Sequence, residues 1–219
     1  MIITKQKPLQ ELFDILKDER KVFLIGCTLC ATTCKTGGED QLKKTEKALL
    51  GEGKKVTGWA VLDPACNLLE VKRFHRKNKE KIDGSDAIVS FTCGGGTQAI
   101  VDIIREKKAY PGNDTLFQGE ISKLTPKEAE FTQKCSLCGE CALAVTRGIC
   151  PVTMCPKSLA NGPCGGIKDG KCEVDNELDC AWLLIYDRLK EFDQLDEIKK
   201  IRTPKDHSKS KKPQSLTIK

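Results

Sequence analysis

The sequence predicts an α/β protein. A parallel sheet with helices on both faces comes first, then an irregular cysteine-rich segment, then a C-terminal helix. Three observations predict it. Short apolar runs alternate with amphipathic stretches through roughly the first half of the chain. Three of those runs end at or just before a cysteine. Residues 135–180 hold eight cysteines and little apolar periodicity.

The elements follow in order. Leu9, Leu12, Phe13 and Leu16 share one face of a helix over residues 9–17. VFLIG, residues 22–26, reads as a buried strand and runs into Cys27. Glu39 and Asp40 open a helix over 38–50, since carboxylates favour the positive end of a helix. VTGWAV, residues 56–61, is a second strand that leads through DPAC to Cys66. A charged helix spans 68–81. AIVSF, residues 87–91, is a third strand that leads to Cys93, and a helix beginning near Thr97 carries Ile100, Ile103 and Ile104. A weaker strand is expected near 115–117. Periodicity fades over 111–126, which reads as a connection. The last good helix is 177–192, with Leu178, Ala181, Trp182, Ile185 and Leu189 as its buried stripe. The expected division is an α/β domain over 1–125, a cysteine-rich domain over 126–198 and a disordered tail over 199–219.

The alternation implies a Rossmann-like or flavodoxin-like sheet, in which ligands bind at the C-terminal ends of the strands. Cys27, Cys66 and Cys93 fall at that rim, and Cys30 and Cys34 lie in the loop after the first strand. Five thiols are therefore expected on one edge. TCGGGTQ, residues 92–98, matches neither a Walker loop nor a dinucleotide fingerprint. Its glycines are better read as letting backbone N–H groups approach a thiolate-held centre.

Thirteen cysteines are far more than packing requires. The count is odd, the N-terminus has no secretory pattern, and the chain is long enough to fold without disulfides. This places the chain in the cytoplasm, with thiols that hold metal. No apolar run is long enough to span a membrane. The net charge is +6, but residues 199–219 carry eight Lys/Arg against one acid, leaving 29 against 30 in the rest. The basic excess thus belongs to the tail. It reads as a solubilising segment or as a docking arm for an acidic partner. A body without basic excess and with few aromatics argues against nucleic acid as a partner.

Only two histidines are present, His75 in a charged helix, where it is expected to be solvent-exposed, and His207 in the tail. The ligands are therefore thiolates, which suit zinc or iron–sulfur. Cys135, Cys138 and Cys141 form C-x2-C-x2-C, three-quarters of the bacterial ferredoxin run. Cys150 and Cys155 each precede proline, as the remote ferredoxin ligand does. Eight residues, not three, separate Cys141 from Cys150, so the segment is ferredoxin-like without being a standard ferredoxin. With Cys164, Cys172 and Cys180 the segment offers eight thiolates, enough for two [4Fe–4S] clusters. The rim five would serve a third. Zinc at one of these sites is the alternative.

GICPVTMCPKSLANGPCGGIKDGKCEVD (148–175) with CAWLLIY (180–186) resembles the small cysteine-rich partner subunit of acetogen-type methylenetetrahydrofolate reductase. The same family occurs as the methylenetetrahydrofolate reductase C-terminal, zinc-binding family. GCTLCATTCKTGG (26–38) and FTCGGGTQ (91–98) resemble it as well. The resemblance extends to about Ile198 and leaves out the tail. It implies a non-catalytic electron-transfer subunit working in one-carbon metabolism. Electrons would come from ferredoxin or another low-potential donor and pass through [4Fe–4S] clusters. They would end on the flavin of a catalytic methylenetetrahydrofolate reductase partner, the flavin not being held by this chain. All thirteen cysteines are carried over as metal ligands. The alternative is a structural zinc-binding subunit that shapes the partner without carrying electrons.

Overall fold

The structure, a computed structural model, describes residues 1–125 and 128–218. They form two compact units, Met1–Phe131 and Thr132–Lys219.

The first unit runs β1 (Ile2–Gln6), α1 (Leu9–Ile15), β2 (Lys21–Cys27), α2 (Cys30–Thr33), α3 (Glu39–Gly51), β3 (Lys55–Leu62), α4 (Leu68–Asp83), β4 (Ala87–Phe91), α5 (Gly94–Ile103), β5 (Lys108–Pro111), β6 (Asn113–Leu124) and β7 (Ala129–Gln133). Strands β3-β2-β4-β5 form a sheet in that order, every pair parallel. The chain leaves β2 to one side for β3 and returns to its other side for β4. The gap between the C-terminal ends of β2 and β4 is therefore a topological switch point, where doubly wound sheets bind ligands.

Alternation along β2 explains why the run is apolar throughout. Phe23, Ile25 and Cys27 face one core with Val71 and Phe74 of α4 and Ile100 of α5. Val22 and Leu24 face the other with Leu12, Leu42 and Leu49. A strand covered on both faces has no polar side to alternate with.

A second sheet, β1-β6-β7, has β1 antiparallel to β6, with Ile2 opposite Gln118 and Gln6 opposite Asn113. The connection expected over 111–126 is mostly the twelve-residue β6, which takes in the weaker strand expected near 115–117, and residues 2–6, for which no element was expected, form a strand. β6 is exposed along most of its length, so backbone pairing holds it and no buried face announces it.

The second unit contains α6 (Pro151–Met154), α7 (Ala181–Glu191), α8 (Asp196–Lys199) and a single 3-10 turn (His207–Ser210). Its buried apolar cluster is small: Trp182, Ile185 and Leu189, with Ile149, Leu159, Leu195 and Ile198 against them. The Trp182 indole N–H donates to Leu159 O at 2.9 Å. α7 begins later than expected. Cys172 N–H donates to Leu178 O and Cys180 N–H to Gly170 O, both at 2.9 Å, so residues before Ala181 belong to a turn and Leu178 is exposed. Residues 200–214, expected to be disordered, carry specific hydrogen bonds that are described below. Among the described residues, no helix is long and apolar enough to cross a membrane.

Candidate metal centres

None of the thirteen cysteines is in a disulfide. Within the first unit, five of them lie at the rim of the parallel sheet. Cys27 ends β2 and is buried, and its N–H donates to Gly37 O at 3.1 Å. Here three backbone segments touch. A Cβ on Gly26 would stand 2.1 Å from Gly37 O, and one on Gly37 would stand 1.9 Å from Phe91 O. Only glycine permits that approach. Cys30 opens the one-turn α2 and Cys34 caps its end, with Cys34 N–H donating to Cys30 O at 2.9 Å. Both meet β1: Ile2 N–H donates to Cys30 Sγ at 3.4 Å, and the Cys34 thiol points to Ile2 O at 3.9 Å. Thr28 links this loop to the Cys66 loop, its N–H to Leu62 O at 2.9 Å and its hydroxyl to Asp63 Oδ1 at 2.6 Å. Cys93 is the N-cap of α5, beside the positive end of that helix.

The thiols feel one another. Burial pushes the Cys66 thiol above its ordinary value, and the thiols of Cys93, Cys27 and Cys30 push it further. Ionising one opposes ionising the next, and a bound cation removes that opposition. The expected N–H donors of the glycine loop are not all free for sulfur, because Gly94 N–H donates to Thr115 Oγ1 at 2.8 Å. The N–H that does reach a rim sulfur belongs to Ile2, which no motif marked.

The second unit gathers thiols in two places. In the first, Leu137 and Gly139 adopt positive φ of 53° and 75°, which curls the chain around Cys135 and Cys138. Leu137 N–H donates to Cys135 Sγ at 3.3 Å. Thr153 of α6 bridges this turn to Cys150: its Oγ1 lies 2.9 Å from Ser136 Oγ and 3.6 Å from Cys150 Sγ. Cys141 and Pro151 line a common cavity of about 380 Å3, with Glu140, Arg202 and Lys205 on its wall. The Lys205 ammonium, the largest cause, holds the Cys138 thiol below its ordinary value against the effect of burial. Cys155 caps the far end of α6.

In the second place, the Cys164 thiol donates to Glu173 Oε1 at 3.3 Å, and Lys157 pairs with the same carboxylate. That carboxylate is the first cause of a raised Lys157, and the Cys164 and Cys172 thiols add to it. An antiparallel bridge between Lys171 and Asp179 puts Cys172 opposite Leu178 and Cys180 opposite Gly170, so the two cysteines are diagonal neighbours across it.

His75 is not the exposed side chain expected. It is 17% exposed and its Nε2 stands 3.0 Å from Glu106 Oε1. With Asp83 these ligand atoms lie within 4.8 Å of one another, the one such group of three among the described residues. Asp83 is already paired with Lys79 at 2.8 Å, which lowers its carboxyl, while the buried His75 Nε2 lacks a hydrogen-bond partner of good geometry.

The chemistry of these donors suits thiolate-held metal. The thiols are soft ligands with no disulfide to undo, and N–H groups at Ile2 and Leu137 stand ready to bear thiolate charge. No curated protein matches the chain in sequence. Residues 110–208 match the family described as "Methylene-tetrahydrofolate reductase C terminal". The match holds all eight cysteines of the second unit, and it continues past Ile198 into the tail, where the resemblance was expected to stop. From β5 to the 3-10 turn, then, this chain is similar to the C-terminal part of methylenetetrahydrofolate reductases.

Proposed function

We propose that the chain is an electron-transfer subunit of a methylenetetrahydrofolate reductase. Its thiolates would hold [4Fe–4S] clusters, and electrons from ferredoxin or another low-potential donor would pass to the flavin of a catalytic partner. The observation that carries this reading is thirteen unpaired cysteines, five at the rim of the parallel sheet and eight in the stretch similar to that family. One ion needs four ligands. Thirteen thiols in two units suit a relay.

Cys135, Cys138, Cys141 and Cys150 would hold one cluster. Cys155, Cys164, Cys172 and Cys180 would hold the second. Four of Cys27, Cys30, Cys34, Cys66 and Cys93 would hold a third. The clusters would supply one-electron chemistry at low potential. The chain's own work is to hold and tune. Ile2 and Leu137 N–H groups donate to sulfur, and such bonds raise the potential by easing added negative charge.

Iron and sulfide counting on anaerobically purified protein, followed by EPR after dithionite, tests the reading. About four irons per cluster and a reducible paramagnetic signal are expected. Colourless protein with zinc would replace it with the structural zinc reading. That alternative is favoured by the bridged Cys172 and Cys180 segment, which has the paired-strand form common around zinc.

A further inference from the structure

We propose that Lys205 is the buried counter-cation of the cluster held at Cys135, Cys138, Cys141 and Cys150, and that the basic tail is a strap that delivers it. The proposal rests on the cluster reading above.

Lys205 Nζ is buried and has no hydrogen-bond partner of good geometry. Taking an ammonium from water without an anion is costly, so its position calls for negative charge nearby. The carboxylate on this face cannot supply it. Glu140 is already taken by Asp206 N–H at 2.9 Å and by Lys209 Nζ at 3.5 Å. What remains beside Lys205 is sulfur: Cys138 is its neighbour, and Cys141 shares with it the wall of the 380 Å3 cavity.

The tail is fixed on both sides of Lys205. Before it, Arg202 donates from Nη2 to Ala160 O at 2.6 Å, its N–H donates to Asn161 Oδ1 at 2.9 Å, and Asn161 Nδ2 returns a bond to Arg202 O at 3.0 Å. After it come the two bonds to Glu140. Over the C-x2-C turn itself, Lys209 lies so close to Gly139 that a Cβ there would stand 2.4 Å from Lys209 O. Gly139 also has a φ of 75°, so that position is closed to other residues twice over.

A thiolate-held cluster is anionic and gains one more negative charge on reduction. A buried cation at its edge favours the reduced form, and net charge is one of the levers that set such potentials. Lys205 therefore raises the potential of this one cluster relative to the same site without it.

The test is an EPR-monitored redox titration of the full chain, purified anaerobically, with an iron count. In Lys205→Met the ratio of reduced to oxidised cluster at fixed ambient potential is expected to fall about tenfold for one cluster, ~59 mV for a one-electron couple. Lys205→Arg is expected to restore most of it, and the other clusters should not move. Gly139→Ala, which lifts the strap, is expected to shift the same cluster in the same direction. Selective iron loss from this cluster in Lys205→Met, with retention in Lys205→Arg, would also support the counter-cation. A loaded Lys205→Met protein that titrates like the parent overturns this inference and leaves the cluster reading standing. A parent protein without iron overturns both.

Discussion

Gly37→Ala tests the architecture of the rim. The added Cβ would stand 1.9 Å from Phe91 O, 3.0 Å from Phe91 C and 2.9 Å from the Ala31 Cβ. Two of these atoms are backbone at the end of β4, so no flexible side chain can swing away. The turn must retreat by more than an ångström, carrying Gly37 O away from Cys27 N–H. Overpacking of this kind costs about 1–3 kcal/mol, and the weakened hydrogen bond about 1 kcal/mol more. The sum is about 2–4 kcal/mol. With a urea dependence of about 1–3 kcal/mol per molar, the midpoint should fall by roughly 1–2 M. The chain has two tryptophans, Trp59 on β3 and Trp182 on α7, one in each unit. Fluorescence in a Trp182→Phe background therefore reports the first unit alone. Gly51→Ala is the control, because nothing lies within 4 Å of its added Cβ, and its effect should stay within about 0.5 kcal/mol. Rim iron should fall in Gly37→Ala while the second unit keeps its own. A Gly37→Ala midpoint equal to that of Gly51→Ala would refute the close three-way contact of backbones.

Further outcomes follow from other sites. Cys66→Ser should lower the iron count by that of the rim cluster alone, as measured by metal analysis, because the Cys66 thiol is the one that feels those of Cys93, Cys27 and Cys30. Glu19→Gln should destabilise the first unit by about 1.5–3 kcal/mol at neutral pH, since this nearly buried carboxylate (5% side-chain exposure) accepts from Lys108 and Tyr110, both at 2.8 Å. Lys108 is the first cause of the lowered Glu19 carboxyl, so its contribution is present above the ordinary glutamate value and lost as pH falls through the lowered one. The difference between Glu19→Gln and parent urea midpoints should shrink with acidification, and a constant gap would contradict this. Lys211→Glu with Lys212→Glu should weaken the salt dependence of donor-driven flavin reduction if an acidic donor docks there, since both lysines are exposed and lie beyond the strap.

The parallel sheet was readable because burial on both faces leaves an unbroken apolar run, as in VFLIG. Cysteines just beyond strand ends then mark the rim without any structure. β1 and most of β6, beyond the weak strand expected near 115–117, were not readable in the same way. Their stability lies in backbone pairing, and backbone hydrogen bonds leave no side-chain period. The start of α7 was misplaced because Leu178 fits the helical stripe, while the turn that claims it is fixed by main-chain bonds from Cys172 and Cys180. Lys205 was hidden for another reason. Composition describes a tail by its average, and the anchors at Asn161 and Glu140 are individual side chains distant in sequence. The rim donor Ile2 left no signal at all, because a peptide N–H belongs to every residue except proline.

The two units differ in how much apolar interior they own. The first has a buried core on each side of its sheet, whereas the second has a cluster of three buried side chains, Trp182, Ile185 and Leu189. A maturation system that inserts metal would accordingly meet a finished mould in one unit and a slack chain in the other. Chelation or oxygen damage should leave the first standing as a thiol-lined shell and turn the second into protease-sensitive polypeptide. Loss of metal would thereby mark the chain for disposal from its C-terminal half.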